Sequence, residues 1–164
     1  MVPDQAVRST MRYQITAEAG YLRAELFNRE TVEETRAFLR AVVRENAKHR
    51  RPCVLILVRV SKPIFQVVPH RLIEYMEELS KTSAYQIALV GDSRDLNMSH
   101  EYIELLARQR RLNVRSFRNE AAALQWLKNR RQAKDRRQLR EWREQNERRE
   151  WVRRASPVSH QLAK

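Results

Sequence analysis

Two rhythms of apolar and polar residues alternate along the first 127 positions, and each change of rhythm marks an element of the fold. "MRYQIT" sets Met11, Tyr13 and Ile15 against Arg12, Gln14 and Thr16, and "YLRAELF" sets Leu22, Ala24 and Leu26 on one side. A period of two predicts a pair of half-buried strands, with "AEAG" as the hairpin turn in which Gly20 supplies permissive backbone. The period then lengthens. Thr31 and Glu34 have the spacing of a capping box, in which hydroxyl and carboxylate each satisfy an orphan amide at a helix start. Val32, Thr35, Leu39, Val42 and Asn46 form one helical stripe behind it, flanked by Phe38 and Val43.

"CVLILVRV" is almost continuously apolar, as expected of a central strand covered on both faces. Pro69 suits the first turn of a helix whose inner face is Leu72, Tyr75 or Met76, and Leu79. "YQIALVG" predicts another buried strand, and the next helix is expected to begin near Ser99 and bury Tyr102 or Ile103 with Leu106. "NVRSF" predicts a short last strand, and Asn119 caps a fourth helix at "NEAAALQWL". The order ββαβαβαβα predicts an α/β domain over residues 11–127, with a mixed, mostly parallel sheet and right-handed crossovers. Residues 1–10 are expected to form a flexible N-terminus.

No glycine or proline interrupts the chain from Asn119 to Pro157, so the fourth helix is expected to continue as a basic helical extension over residues 128–154. Opposite charges four residues apart, from Arg137–Glu141 to Glu150–Arg154, support a solvated helix at about 0.2–0.5 kcal/mol per pair. Residues 155–164 are expected to be disordered.

The net charge of +13 is uneven: residues 1–127 hold 20 Lys and Arg against 15 Asp and Glu, and residues 128–164 hold 13 against 5. Such asymmetry points to an acidic or polyanionic partner and says nothing about fold. Composition excludes more than it assigns. With only two glycines, Gly20 and Gly91, neither a Walker loop nor a dinucleotide fingerprint can form. Four histidines and one cysteine, scattered, make no tetrahedral zinc set, so no metal and no cofactor is expected. Cys53 cannot form an internal disulfide, fits a reducing compartment and reads as a buried inert thiol. The opening "MVPDQAVRST" lacks the apolar core of a signal peptide, and "CVLILV" is far short of the ~20 residues that span a bilayer. A soluble, cytoplasmic protein is expected.

The hairpin opening, "YQIALVGDSRD" and "VRSFRNEAAALQWL", in this order, resemble the SpoIIAA-like branch of the STAS family, small bacterial α/β domains. Members often end in a phenylalanine, an acidic turn, alanines and "WL", here Phe117, Glu120, Ala121 to Ala123, Trp126 and Leu127. The resemblance covers about residues 11–127 and implies a regulatory module that is not an enzyme. Members of the anti-sigma antagonist type bind a protein partner and are switched by phosphorylation in an Asp-Ser-Gly-like segment after the third strand. The corresponding segment, "VRVSKPIFQVVP", offers Ser61 as phosphoacceptor but lacks the neighbouring aspartate and the following glycine. Related SpoIIAA-like domains also look similar to lipid-carrying folds.

In open α/β sheets ligands gather at the carboxyl ends of the strands, an edge built here from "SKPIFQVVP" and "GDSRDLNMS". Ile64, Phe65 and Val67 either fold inward or expose a contact patch, and Asp92, Arg94 and Asp95 form a polar rim or a turn with a helix cap. His70 and His100 read as surface histidines, and with no nucleophile spaced around them no catalytic residue is assigned. The opposite edge carries Lys48, Arg50 and Arg51 in one loop and Arg108, Arg110 and Arg111 in another. Lys128, Arg130, Arg131, Lys134 and Arg137 continue this surface, and arginine-rich clusters favour bidentate phosphate contact. A protein partner is the leading expectation. Nucleic acid bound through the tail and basic loops is the alternative, an anionic membrane surface is the third, and the oligomeric state stays open.

Overall fold

Alternation delivers the first hairpin as expected. In the computed structural model, which describes residues 10–63, 69–82, 84 and 86–129, β1 (Arg12–Ala17) and β2 (Tyr21–Phe27) pair antiparallel around Gly20. Gly20 has φ +91°, a conformation glycine adopts freely. β3 (Cys53–Arg59), β4 (Gln86–Gly91) and β5 (Val114–Phe117) join in parallel, giving a five-stranded sheet in chain order. The connections are α1 (Val32–His49), α2 (Pro69–Thr82) and α3 (Arg94–Gln109), and α4 (Glu120–Lys128) follows β5.

Parallel neighbours joined with one handedness place their connecting helices on one face of the sheet. The core divides accordingly. Leu26, Ile56 and Val58 face Phe38, Leu39 and Val42 of α1, Met76 and Leu79 of α2, and Ile103 of α3. On the second face Leu55, Leu57, Ala88 and Val90 meet Ala123, Trp126 and Leu127 of α4. β4 is therefore buried throughout and β3 up to Arg59, which is what their continuous apolar runs predict. Cys53 is buried, its thiol donating to Gln86 Oε1 at 3.5 Å and lying 3.8 Å from Leu127 O.

Local signals explain most helix starts. Thr31 and Glu34 form the capping box, with Thr31 Oγ1 accepting from Glu34 N at 3.2 Å and Glu34 Oε2 accepting from Thr31 N at 3.0 Å. Asn119 Oδ1 accepts from Ala122 N at 2.8 Å at the head of α4. The third helix departs from expectation. It begins at Arg94, where Ser93 Oγ accepts from Leu96 N at 3.2 Å, and Ser99 lies inside it. Its inward stripe of Leu96, Ser99, His100, Ile103 and Leu106 carries polar residues in two positions, which hid the first turn from a hydrophobic period. Ile103 is the buried member of the expected pair, while Tyr102 is 44% exposed.

The chain divides into two units, Met1–Lys128 and Asn129–Lys164. The flexible N-terminus expected over residues 1–10 lies outside the described residues except for Thr10, as do the extension from residue 130 and the tail over 155–164.

Candidate functional site at the carboxyl edge of the sheet

β2, β3, β4 and β5 all run one way, so Phe27, Arg59, Gly91 and Phe117 end at a common edge. Backbone and side chains knit the loops there together. Ser61 Oγ accepts from Arg29 N at 3.1 Å and donates to Arg59 O at 2.9 Å, and Lys62 N donates to Arg29 O at 3.0 Å. Asp92 Oδ2 accepts from Val60 N at 2.8 Å. Ser61 and Asp92 thus come together around the exit of β3, as neighbours of one residue, Val60. That residue is 70% exposed and has φ 47°, a left-handed conformation that β-branched side chains avoid.

Arg94 and Asp95 are exposed in the first turn of α3 rather than in a loop, and Asp95 complements the positive end of the helix dipole. Gly91 lets that turn approach: a Cβ there would lie 2.7 Å from Leu96 Cβ. Ile64, Phe65 and Val67 lie outside the described residues.

Beneath this edge is a group that the sequence did not reveal. Arg29 is only 5% exposed; its guanidinium donates to Thr35 Oγ1 at 3.4 Å and to Lys62 O. Burial lowers its pKa to about 10, against a smaller opposing effect of Glu34. His100, expected at the surface, is also 5% exposed, because α3 starts earlier and turns this position inward. Burial, and secondarily the nearby Arg29, push the imidazole down to about 4, so it is neutral near pH 7. Both side chains, with Thr35 and Ser99, line one end of a cavity of about 40 Å³ whose remaining wall is apolar, including Phe38, Met76 and Ile103. His70 is the second residue of α2.

A second charged group also escaped the period-two reading of β2. Arg23 donates to Glu25 Oε1 at 2.8 Å and to Glu120, and Arg59 lies 3.2 Å from Glu120 and 3.5 Å from Glu25. The Arg23 hydrogen bond holds the Glu120 carboxyl below its ordinary range, and raises Arg23 in turn. This quartet ties the start of α4 to β2 and β3. An alternating polar face looks the same in sequence whether it meets solvent or a short helix.

The expected phosphate-binding loops both lie at the amino edge, before β3 and β5, with β4 between them, so about 10 Å apart at ordinary strand spacing. Lys48 pairs with Glu45 at 3.0 Å, Arg108 with Glu104 at 3.0 Å and Arg110 with Glu77 at 2.9 Å. Arg50 and Arg111 take left-handed backbone, φ 47° and 60°, where α1 and α3 end; both are exposed, while Arg51 is half-buried and Lys128 exposed. Arg130, Arg131, Lys134 and Arg137 lie outside the described residues. Among the described residues no group of three His, Cys, Asp or Glu side chains could hold a metal ion, and no helix is long and apolar enough to cross a membrane.

No family model and no curated protein matches this sequence. Its fold does match a solved structure, the crystal structure of an anti-sigma factor antagonist from Mycobacterium paratuberculosis. The TM-score is 0.53 at 13% identity, over 74% of this chain and 97% of that one. The fold is that of SpoIIAA-like STAS domains.

Proposed function

We propose that this chain, a domain of SpoIIAA-like STAS fold, is a non-enzymatic regulatory module that binds a protein partner at the carboxyl edge of its sheet. Val60 carries the reading: an exposed apolar side chain is kept in a disfavoured backbone conformation by Asp92 and anchored next to Ser61. Strain retained by surrounding bonds is characteristic of contact and switch residues. The likeness to an anti-sigma factor antagonist suggests an anti-sigma factor as the partner class.

Ser61 is the proposed phosphoacceptor. A phosphate there adds about −1.5 to −2 charge and removes the proton now donated to Arg59 O. The segment that presents Val60 would then be released from β3. The extension beyond residue 129 serves in this proposal as a second contact surface, through its excess of arginine.

The test is capture of a partner on four baits: full-length protein, a chain ending at residue 129, Ser61→Ala and Ser61→Asp, each with and without nuclease. Retention by the shortened chain and by Ser61→Ala, with loss by Ser61→Asp, is the expected pattern. Capture that disappears with nuclease, or only with removal of residues 130–164, overturns it. The reading is then nucleic-acid binding through the basic tail and loops, which the net charge of +13 favours. Retention only on anionic vesicles would move the assignment to a membrane surface.

A further inference from the structure

A guanidinium removed from water needs an anion, and Arg29 has no carboxylate within ion-pair distance among the described residues. The nearest acid that acts on it, Glu34, already accepts from the amides of Glu30 and Thr31. Two nitrogens around the cavity lack a partner among the described residues: Arg29 Nε and His100 Nδ1. Each can donate a proton, His100 in the tautomer that protonates Nδ1. Next to them are the hydroxyls of Thr35 and Ser99, and beyond lies apolar wall.

We propose that this cavity is a binding site for a short-chain monocarboxylate of the size of acetate or propionate. The carboxylate oxygens accept from Arg29 Nε and His100 Nδ1, and the alkyl tail lies against Phe38, Met76 and Ile103. One buried cation matches one negative charge. A phosphate dianion would bring more charge and more acceptors than this end can satisfy, and water would leave the guanidinium uncompensated. The volume, about 40 Å³, has room for only a few heavy atoms. The site does not depend on the partner assignment, yet it adjoins it: Arg29 also donates to Ser61 Oγ and Lys62 O, so an occupant bears on the same loop.

Titration of the full chain with sodium acetate and propionate tests this, with chloride and phosphate at equal ionic strength as controls. The readouts are the His100 ring resonances and the carboxyl signal of ¹³C-labelled propionate. Saturable shifts with the carboxylates, absent with chloride and phosphate, are expected. His100→Phe, which keeps a ring of similar size, should weaken binding at least about tenfold, as should Arg29→Met if it folds. An unmoved His100 resonance in the wild-type protein overturns the proposal. So does equal response to all the anions, or undiminished binding by His100→Phe.

Discussion

Protonating His100 would put a second cation near Arg29, where both side chains are buried. Its pKa of about 4, against an ordinary 6.5, makes this a statement about stability. A group whose folded pKa is depressed contributes its stability in full above the unfolded value, and that contribution is lost as pH falls through the folded value. Unfolding free energy should therefore fall between pH 6.5 and 4, by at most about 3 kcal/mol from this residue. In urea titrations across that range His100→Phe should give the flatter profile; parallel profiles would mean that the ring is not the titrating group. Val60 supports a prediction of the opposite sign. Asparagine tolerates left-handed backbone, so Val60→Asn should raise stability by about 1 kcal/mol while weakening partner capture. A lowered denaturation midpoint would show that the valine packs rather than waits. Neither residue was legible in sequence, since periodicity ranks positions by the hydrophobicity of their neighbours. Arg29 and His100 are polar at enclosed positions, and Val60 is apolar at an open one.

Elements were easier to read wherever one face is buried and the other wet. The alternation of β2, the capping box of α1 and the apolar runs of β3 and β4 each state a local rule that the tertiary fold leaves in force. The start of α3 and the role of α4 depend on contacts between elements, which no window of sequence contains. Gly91 shows one such contact. With Leu96 Cβ 2.7 Å from where a methyl would sit, Gly91→Ala should push the first turn of α3 off β4 and lower stability by about 1–3 kcal/mol. An unchanged denaturation midpoint would mean that this turn shifts freely. The quartet shows another. Glu120→Gln leaves Arg23 and Arg59 without their shared partner, and with its side chain 31% exposed the loss should be about 1 kcal/mol. A double-mutant cycle with Arg23→Met should return a coupling of similar size. Zero coupling would make the quartet a surface ornament rather than the pin of α4.

At the scale of the whole molecule, charge and dipole are arranged against each other. Each helix begins at the carboxyl edge of the sheet and ends at the amino edge, so the positive ends of the dipoles lie at the edge that carries Ser61 and the negative ends at the edge that carries the basic loops. Lys48, Lys81, Arg108 and Lys128 stand in last turns, where part of their charge answers the dipoles. With Lys48, Arg108 and Arg110 also paired to carboxylates, the amino edge is a weaker phosphate trap than its residue list suggests. Residues 1–129 carry 21 Lys and Arg against 15 Asp and Glu, while residues 130–164 carry 12 against 5. The net charges, +6 over 129 residues and +7 over 35, differ little in size but greatly in density, so polyanion binding is expected to come mostly from the denser second segment. If it neutralises about six phosphates, affinity for duplex should fall with a log–log salt slope of about −5 in the full chain and approach zero in the chain ending at residue 129. Equal slopes would move the phosphate contacts onto the loops. A flat response in both would remove nucleic acid as a partner and leave the carboxyl edge as the surface to pursue.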